Sequence, residues 1–356
     1  GMGDRPILEL GDKTPLQSAN LPVLDRLAQE GQCGVADPVK RGIVATTVLG
    51  TLAILGYDPL KYSIARGVIE AHGSEMEIMP GDVAFRGNWA TLDDQGKIVD
   101  RRAGRLREGT EELASSLCGL KVEDITVDVG AGTEHRVAVV LRGAGLGDCV
   151  SGSDPGDHFS SGIKPRIPMS LNNSDEKSSR TAKLLNLFEL EARKILAQHP
   201  VNLEREKNGL LAANTILTRE PGQVHVFPKI KRPSGFGLSG VCISGDDTIS
   251  GISRVTGMDV CKTPEMTANL DTDLKQKFML AAKMLTKYGV VVLHIKGCDI
   301  AAHNRQAVKK KEFLEKIDAE LGRFLNKWSG KLRIAVTADH ATWSQEGIHV
   351  DDPVPV

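Results

Sequence analysis

Aspartate and histidine side chains recur near the end of the chain at a spacing that suits metal binding. Asp299 and His303 lie four residues apart, directly after an apolar run. Asp339 and His340 follow a second apolar run, and His349 comes nine residues after His340. Carboxylate and imidazole ligands together suit Mn²⁺, Zn²⁺, Co²⁺ or Mg²⁺. We therefore predict that these five residues bind divalent metal ions.

This set of ligands predicts two metal ions rather than one. A single ion does not readily take five such ligands and a nucleophile, whereas two ions can clamp the attacking and leaving oxygens of a phosphoryl transfer. Residues four apart on a helix are neighbours, so Asp299 and His303 share a face if their segment is helical. Each Asp–His pair alone also fits a solvated helix end. The joint pattern favours metal-assisted chemistry on a phosphorylated substrate.

A phosphorylated substrate also requires cationic side chains. Three arginines surround Gly104 in a predicted turn, and arginine favours bidentate binding of phosphate or carboxylate. For each basic residue the alternative is a solvated surface charge, and this alternative is weaker for the arginine-rich turn. We predict six substrate-binding residues, which are Arg66, Arg101, Arg102, Arg105, His135 and Arg136.

The composition bounds the class of protein. The 356 residues suffice for two domains, and the formal net charge of −1 favours neither nucleic acid nor a membrane surface as a partner. No apolar stretch approaches the ~20 residues that a membrane span needs. The six cysteines are scattered without a CxxC pair, which is typical of reduced thiols. We expect a cytoplasmic enzyme that acts on a small molecule, either as a monomer or as a homo-oligomer.

Alternating strand and helix patterns predict the elements that position these residues. The apolar runs 241–243, 290–295 and 332–337 are typical of strands, and the segments 273–288 and 310–328 have helical patterns. This alternation predicts a mostly parallel sheet with flanking helices. In such a sheet, the residues that follow the strands meet at one edge, where sites are commonly built.

A change of pattern predicts a second domain. The first half of the chain has short alternating runs that indicate strands, and residues 150–180 are rich in Ser, Gly, Asp and Pro, as in a loop. A helical pattern returns at 180–198. We predict an α/β core domain formed by residues 1–75 and 176–356, interrupted by a smaller α+β substrate-binding domain at 76–175. The crevice between the two domains is the expected site.

Motifs along the whole chain also resemble one protein family. They are Asp4-Arg5-Pro6, Lys13-Thr14-Pro15-Leu16, Leu24-Asp25-Arg26-Leu27, Leu52-Ala53-Ile54-Leu55-Gly56-Tyr57-Asp58-Pro59, Gly81-Asp82-Val83-Ala84-Phe85-Arg86, the turn at 100–105, Gly132-Thr133-Glu134-His135-Arg136, Gly257-Met258-Asp259-Val260, Ala338-Asp339-His340 and Asp352-Pro353-Val354-Pro355-Val356. In this order they resemble the archaeal-type 2,3-bisphosphoglycerate-independent phosphoglycerate mutases. This family belongs to the alkaline phosphatase superfamily, and some members carry the label phosphonopyruvate decarboxylase-like.

The resemblance implies a fold and a reaction. The fold would be an alkaline-phosphatase-like three-layer core with a mostly parallel sheet, plus the smaller inserted domain. The enzyme would be an isomerase of glycolysis that interconverts 3-phosphoglycerate and 2-phosphoglycerate through a phosphoenzyme at a two-metal site. Asp299, His303 and His349 would hold one metal ion, and Asp339 and His340 would hold the other together with the nucleophile.

The resemblance also assigns the substrate side chains and the nucleophile. The arginine-rich turn, with Arg66, His135 and Arg136, would bind the carboxylate and phosphate of the substrate. Thr47 falls at the family's nucleophilic serine, and a threonine hydroxyl can do this work. The metal ions would be Mn²⁺, or Zn²⁺, Co²⁺ or Mg²⁺.

Three departures from the family pattern leave alternatives open. The family's nucleophile segment reads Pro-Gly-Ser-Asp, two further residues, then His-Leu, but here Val48 and Thr51 replace its Asp and His. The family's opening strand, which ends in a metal-binding Asp, and its closing strand and helix have no counterpart within residues 1–356. One alternative is a diverged or truncated homologue with little or no mutase activity. The other is a metal-dependent phosphatase or phosphotransferase.

Overall fold

A computed structural model describes residues 1–156, 161–172, 174–224 and 239–356. They form two compact units, of which the first comprises Gly1–Ser63 and Phe227–Val356 and the second comprises Ile64–Val226. The second unit is longer at both ends than the insert predicted at 76–175. Among the described residues, no helix is both long enough and apolar enough to cross a membrane.

The elements are numbered along the chain. A short 3₁₀-helix at Leu8–Leu10 precedes the α-helices, which are α1 (Pro15–Ser18), α2 (Pro22–Glu30), α3 (Thr47–Ile54), α4 (Arg66–Gly73), α5 (Thr110–Leu117), α6 (Glu176–Ala197), α7 (Pro200–Lys207), α8 (Asp247–Val255), α9 (Leu274–Leu285), α10 (Gly297–His303) and α11 (Ala307–Lys327). The strands are β1 (Val35–Ala36), β2 (Val83–Leu92), β3 (Ile98–Asp100), β4 (Leu120–Val122), β5 (Ile125–Ala131), β6 (Arg136–Arg142), β7 (Thr215–Gln223), β8 (Gly240–Ile243), β9 (Asp259–Cys261), β10 (Val290–Leu293), β11 (Ala341–Trp343), β12 (Ile348–Val350) and β13 (Val354–Pro355).

The first unit is built around a parallel sheet with the strand order β10-β8-β9. Its central strand β8 is apolar and is buried from Val241 to Ile243, and it packs with Met266 and Met284. A helix follows each of β8 and β10, so both strands deliver the residues after them to the same edge of the sheet. The helices predicted at 273–288 and 310–328 are confirmed as α9 and α11.

The prediction of a strand at 332–337 is wrong. Residues 331–338 form no strand, and Ile334 is 40% exposed. Within the described part of the chain, the main chain of this segment makes no hydrogen bond to another main-chain group. An apolar run becomes a strand only when a neighbouring strand accepts its hydrogen bonds, and the sequence pattern alone does not report that partner.

The second unit is built around an antiparallel sheet with the order β3-β2-β6-β5-β4, in which β7 also pairs with β2. Strand β2 is paired along both edges and is almost wholly buried, with Phe85 and Trp89 in the core of this unit. Helix α6 packs its apolar side, including Leu185 and Phe188, into the same core. The prediction from the sequence placed this helix in the other domain, because an apolar helix face does not identify the sheet that covers it.

Candidate metal and nucleophile site

Helix α10 carries the first pair of predicted ligands. Gly297 begins the helix, and a Cβ at this position would lie 2.3 Å from the Phe313 ring, so glycine lets α10 pack against α11. One turn holds Asp299 and His303 on the same face, with Oδ1 of Asp299 at 3.4 Å from Nε2 of His303. Asp299 is buried and His303 is exposed. The helix therefore presents a carboxylate from inside the fold and an imidazole from its surface.

The hairpin of β11 and β12 brings the third side chain to this pair. His349 lies in β12, opposite Thr342 in β11. Its Nε2 lies 3.1 Å from Nε2 of His303 and 3.8 Å from Oδ1 of Asp299. The three ligand atoms all lie within 4.8 Å of one another, as metal ligands do.

The hydrogen bonds of the two rings indicate that this cluster suits a cation. Nδ1 of His303 lies 2.7 Å from the carbonyl oxygen of Gly347, and Nδ1 of His349 lies 3.1 Å from that of Ala45. A carbonyl only accepts, so each Nδ1 carries a proton, and Nε2 is the ring nitrogen that is left to bind a metal ion. Burial, followed by the charge of His340, lowers the pKa of His349 to about 4, which keeps this ring neutral at pH 7. Two facing lone pairs and a carboxylate oxygen fit a divalent metal ion.

A second cluster contains Asp339, His340 and Thr47. Nε2 of His340 lies 3.2 Å from Oδ2 of Asp339 and 3.4 Å from Oγ1 of Thr47. The His340 ring stacks on that of His349 with 3.6 Å between the ring centroids, so the two clusters are adjacent. The ammonium group of Gly1 lies 2.8 Å from Oδ1 of Asp339. Although burial alone would raise it, the pKa of Asp339 lies well below its usual range, because Gly1 and His340 place positive charge beside it.

Thr47 reaches this cluster because helix α3 lies directly against Asp339. It is the first residue of α3, and the side chain of Thr46 caps the helix by accepting from the main-chain N–H of Leu49. A Cβ on Gly50 would lie 1.9 Å from the main-chain oxygen of Asp339, so only glycine permits this approach. The hydroxyl of Thr47 therefore stands at the N-terminal end of a helix, where developing negative charge is stabilised.

Two polar residues at this edge of the sheet, Asp246 and Lys296, were not predicted from the sequence. Asp246 follows β8 and caps α8 by accepting from the main-chain N–H groups of Thr248 and Ile249. Its carboxylate also pairs with Lys296, whose Nζ lies 2.8 Å from Oδ2. Although burial alone would raise it, the pKa of Asp246 lies well below its usual range because Lys296 and His294 face it. The signal was present, since Asp246 follows an apolar strand just as Asp299 does.

All six predicted substrate-binding residues lie in the second unit. Arg101 is buried, and its Nε and Nη2 donate to the two carboxylate oxygens of Asp154 at 2.9 and 2.6 Å. Asp154 also pairs with Arg219 of β7, a residue that the sequence did not single out. The pKa of Asp154 is lowered, because these two arginines and the Gly156 N–H outweigh the effect of its burial. Arg101 thus faces a carboxylate, whereas Arg102 is exposed.

The arginine-rich turn lies close to His135. Ala103, Gly104 and Arg105 all have left-handed backbone angles, with φ of 44°, 68° and 58°. Burial, and then the charges of Arg102, Arg219 and Arg105, lower the pKa of His135 to about 4. A histidine that stays neutral beside several arginines indicates a region of positive potential, and such a region attracts anions.

Arg66 and Arg136 lie near a buried acid rather than in this cluster. Arg66 is the first residue of α4, and Glu70 on the same helix is 1% exposed. Nη1 of Arg136 lies 3.8 Å from Oε1 of Glu70, and Nε of Arg86 lies 3.2 Å from Oε2. Of the predicted basic residues, Arg101 thus pairs with Asp154 and Arg136 lies beside Glu70.

Comparisons with known proteins identify the family that this chain is similar to. The family model described as "2,3-bisphosphoglycerate-independent phosphoglycerate mutase" matches residues 28–202. A protein of that name from Picrophilus torridus is 40% identical over 356 residues, which cover 100% of this chain and 86% of the relative. A second, "2,3-bisphosphoglycerate-independent phosphoglycerate mutase 1" from Archaeoglobus fulgidus, is 41% identical over 361 residues and is covered to the same 86%. The solved structure of a cofactor-independent phosphoglycerate mutase from Thermoplasma acidophilum has a TM-score of 0.65 at 34% identity, covering 100% of this chain and 86% of that one.

Proposed function

We infer, since this chain belongs to the family of 2,3-bisphosphoglycerate-independent phosphoglycerate mutases, that it interconverts 3-phosphoglycerate and 2-phosphoglycerate through a phosphorylated Thr47. One observation carries the assignment of the nucleophile. The hydroxyl of Thr47 lies 3.4 Å from Nε2 of His340, at the start of a helix and beside two clusters of metal-type ligands. These are the surroundings that a hydroxyl needs in order to attack phosphorus.

The proposed reaction has two half-steps. In the first, Oγ1 of Thr47 forms a bond to phosphorus while the bond between phosphorus and O3 of glycerate breaks, and the proton of Thr47 ends on O3. In the second, the 2-hydroxyl oxygen of glycerate forms a bond to phosphorus while the bond between phosphorus and Oγ1 of Thr47 breaks, and the proton of the 2-hydroxyl ends on Oγ1 as 2-phosphoglycerate forms. Phosphate is neither gained nor lost, so no bisphosphoglycerate is required.

Residues of the first unit fit two divalent metal ions. Asp299, His303 and His349 would hold one ion, and Asp339 and His340 would hold the other. Bound Mn²⁺, or another of the divalent ions that suit such ligands, supplies Lewis-acid charge that stabilises the attacking and leaving oxygens. We propose that the parallel sheet and its helices correspond to an alkaline-phosphatase-like core, since β8 and β10 each deliver acids to one edge.

The second unit is proposed to bind the substrate anion. Arg102 and Arg105 are exposed and lie close enough to His135 to lower its pKa, so their positive charges are available to phosphate or carboxylate. We propose that Arg101 instead holds the carboxylate of Asp154 in place, and that this carboxylate orients Arg219. Arg66 and Arg136 remain proposed substrate ligands near Glu70.

Phosphorus NMR tests the proposed reaction. The purified protein is incubated with 3-phosphoglycerate and Mn²⁺, without 2,3-bisphosphoglycerate, and we expect a growing signal of 2-phosphoglycerate. The matched pair Thr47→Ser and Thr47→Ala should keep and lose this signal, respectively. Retention of turnover by Thr47→Ala would contradict the assignment of the nucleophile.

Other products of the same experiment identify the alternatives. Inorganic phosphate in place of 2-phosphoglycerate indicates a phosphatase, in which water reaches the phosphothreonine. Val48 and Thr51 give this alternative its basis, because they stand where the family has Asp and His and are both buried. An unchanged spectrum indicates a diverged homologue without catalysis.

A further inference from the structure

Thr342 lies between predicted metal ligands of the first unit, although it has no role in the proposed reaction. It belongs to β11 and is fully buried. Its hydroxyl donates to Oδ1 of Asp299 at 2.8 Å and lies 3.0 Å from Nδ1 of His340. Its partner across the hairpin is His349. The side chain of Thr342 therefore contacts one predicted ligand of each metal ion, Asp299 and His340. Its strand also pairs with the strand that carries a third predicted ligand, His349.

The hydrogen bonds of this hydroxyl fix its direction. Oδ1 of Asp299 accepts the hydrogen bond from this hydroxyl, as a carboxylate oxygen does. Threonine has one hydroxyl proton, and that proton goes to Asp299. The contact with His340 must then run from Nδ1–H of the ring to Oγ1 of Thr342. Nδ1 of His340 is thereby set as a donor, and Nε2 is the ring nitrogen that faces Thr47 and Asp339.

The buried ion pair of Lys310 and Asp4 contacts the main chain of Thr342. Nζ of Lys310, on α11, donates to the carbonyl oxygen of Thr342 at 3.1 Å, to that of Gly3 at 3.0 Å and to Oδ2 of Asp4 at 2.8 Å. The side chains of Lys310 and Asp4 are both fully buried, and all three ammonium protons have partners. Asp4 also accepts from the main-chain N–H of Ser344, two residues beyond Thr342. A buried pair with complete hydrogen bonding holds its neighbours in one geometry.

We propose that Thr342 is a positioning residue of the metal site, which sets the carboxylate of Asp299 and the ring nitrogen of His340 through one hydroxyl. The inference rests on the proposed function only in taking these residues as metal ligands. Partners of this kind orient the ligands they contact, and their loss typically lowers metal affinity about 10–100-fold. Serine keeps the hydroxyl, whereas valine keeps nearly the same shape without it.

Nitrogen-15 NMR of histidine-labelled protein tests the orientation of His340 directly. The His340→Gln variant identifies the ring signals by their loss. In the wild type and in Thr342→Ser, we expect Nδ1 of His340 to be protonated, both without metal and with Zn²⁺ bound. A wild-type ring with a bare Nδ1 and a protonated Nε2 would overturn the proposal, whether or not the protein is active.

Calorimetric titration with Mn²⁺ tests the consequence for binding. We expect Thr342→Val to weaken binding about 10–100-fold and Thr342→Ser to bind almost as the wild type does. Thr91→Val is the matched control, because Thr91 is also buried and donates a hydrogen bond, but it lies in the second unit. Equal Mn²⁺ affinity of Thr342→Val and the wild type would overturn the proposal, as would a wild type that binds no Mn²⁺.

The two proposals fail in different ways. A protein that binds Mn²⁺, holds His340 with Nδ1 protonated and loses affinity in Thr342→Val, yet forms no 2-phosphoglycerate, supports the role of Thr342 and contradicts the mutase assignment. Turnover to 2-phosphoglycerate with unchanged metal affinity in Thr342→Val supports the mutase and contradicts the role of Thr342.

Discussion

In the first unit, uncharged groups orient the candidate metal ligands, whereas in the second unit a carboxylate holds the arginines. Main-chain carbonyls fix His303 and His349, and the hydroxyl of Thr342 fixes His340. By contrast, Asp154 pairs directly with Arg101 and Arg219. These neutral partners fix the histidine rings without adding a charge of their own to the site. A charged partner instead compensates the arginines that it holds, so anion binding falls to those it does not contact.

The sheets that support these residues also differ between the two units. The parallel sheet of the first unit is small, and its strands serve to deliver Asp246 and Asp299 to one edge. The antiparallel sheet of the second unit has β2 buried between two partners, and Trp89 lies in its core. On this difference we propose that the first unit carries the chemistry and that the second unit holds its arginines in a charge-compensated framework. The following variants test that division.

Loss of the Thr47 hydroxyl has the largest expected effect. Thr47→Ala should lower kcat for mutase turnover by at least about 10³-fold, since a covalent step cannot proceed without its nucleophile. Mn²⁺ affinity should change far less than kcat, because the five other ligands remain. Steady-state kinetics and metal titration on the same preparation make the comparison, with Thr47→Ser as the control. A fall in kcat of only a few fold would place the nucleophile elsewhere.

Asp154→Asn should cause the largest loss of stability in the second unit. It leaves the buried guanidinium of Arg101 without its counter-charge, and breaking such a buried pair costs about 3–5 kcal/mol. Urea unfolding, followed by tryptophan fluorescence with Trp328 and Trp343 replaced by Phe so that only Trp89 reports, measures the change in the free energy of unfolding. Asp124→Asn is the control, because Asp124 is an exposed partner of Arg180 and should leave the midpoint unchanged. A cost below about 1 kcal/mol would mean that the Asp154 pair behaves like a surface pair.

Gly50→Ala tests the close approach of α3 to Asp339. The added Cβ would overlap the main-chain oxygen of Asp339, so either the helix or the Asp339–His340 segment must move. A displacement of this order at a reacting centre lowers turnover by about 10²-fold. Gly34→Ala, where no atom lies within 4 Å of the new Cβ, should keep full activity. Equal kcat values for the two variants would show that the position of Thr47 does not depend on this contact.

The smallest expected effect is a pH dependence set by Glu189. Ser153 and Thr218 donate to Oε1 of this buried residue at 2.6 and 2.8 Å, yet burial raises its pKa to about 7. Its folded-state pKa is above the unfolded value, so its stabilising effect is present below about pH 4.5 and is lost as the pH rises through about 7. Glu189→Gln resembles the protonated acid and should remove this loss.

The difference between the two proteins isolates this one group, because histidines with lowered pKa values contribute the same slope to both. The free energy of unfolding of Glu189→Gln, relative to the wild type, should therefore rise between pH 5 and pH 8. A constant difference over that range would show that Glu189 is already ionised in the folded protein at pH 5.

The sequence predicts the candidate ligands better than the groups that orient them. Asp299 and Asp339 were found because an acid after an apolar run is a local pattern. Thr342 was missed because its importance depends on two partners, Asp299 and His340, which only the folded hairpin and helix bring to its hydroxyl. Arg219 was missed for the same reason, since only β7 places it beside Asp154.

The same distinction holds for the fold. Helices α9 and α11 were predicted well, because helical periodicity and caps such as Asp273 are local. The strand predicted at 332–337 depended on a neighbour that the pattern does not specify. Helix α6 was recognised as a helix but assigned to the other domain. Propensity thus predicts the type of an element, while its partner is decided by packing over long distances in sequence.

Detection of the phosphoenzyme tests the central claim most directly. The protein is mixed with 3-phosphoglycerate and Mn²⁺, quenched in acid within the first turnover, digested and analysed by mass spectrometry. We predict one phosphoryl group on the peptide that contains Thr47, with fragment ions that place it on that residue, and its absence in Thr47→Ala. Formation of 2-phosphoglycerate without any phosphorylated peptide, or with the phosphoryl group on Thr46, Thr51 or another residue, would contradict the account.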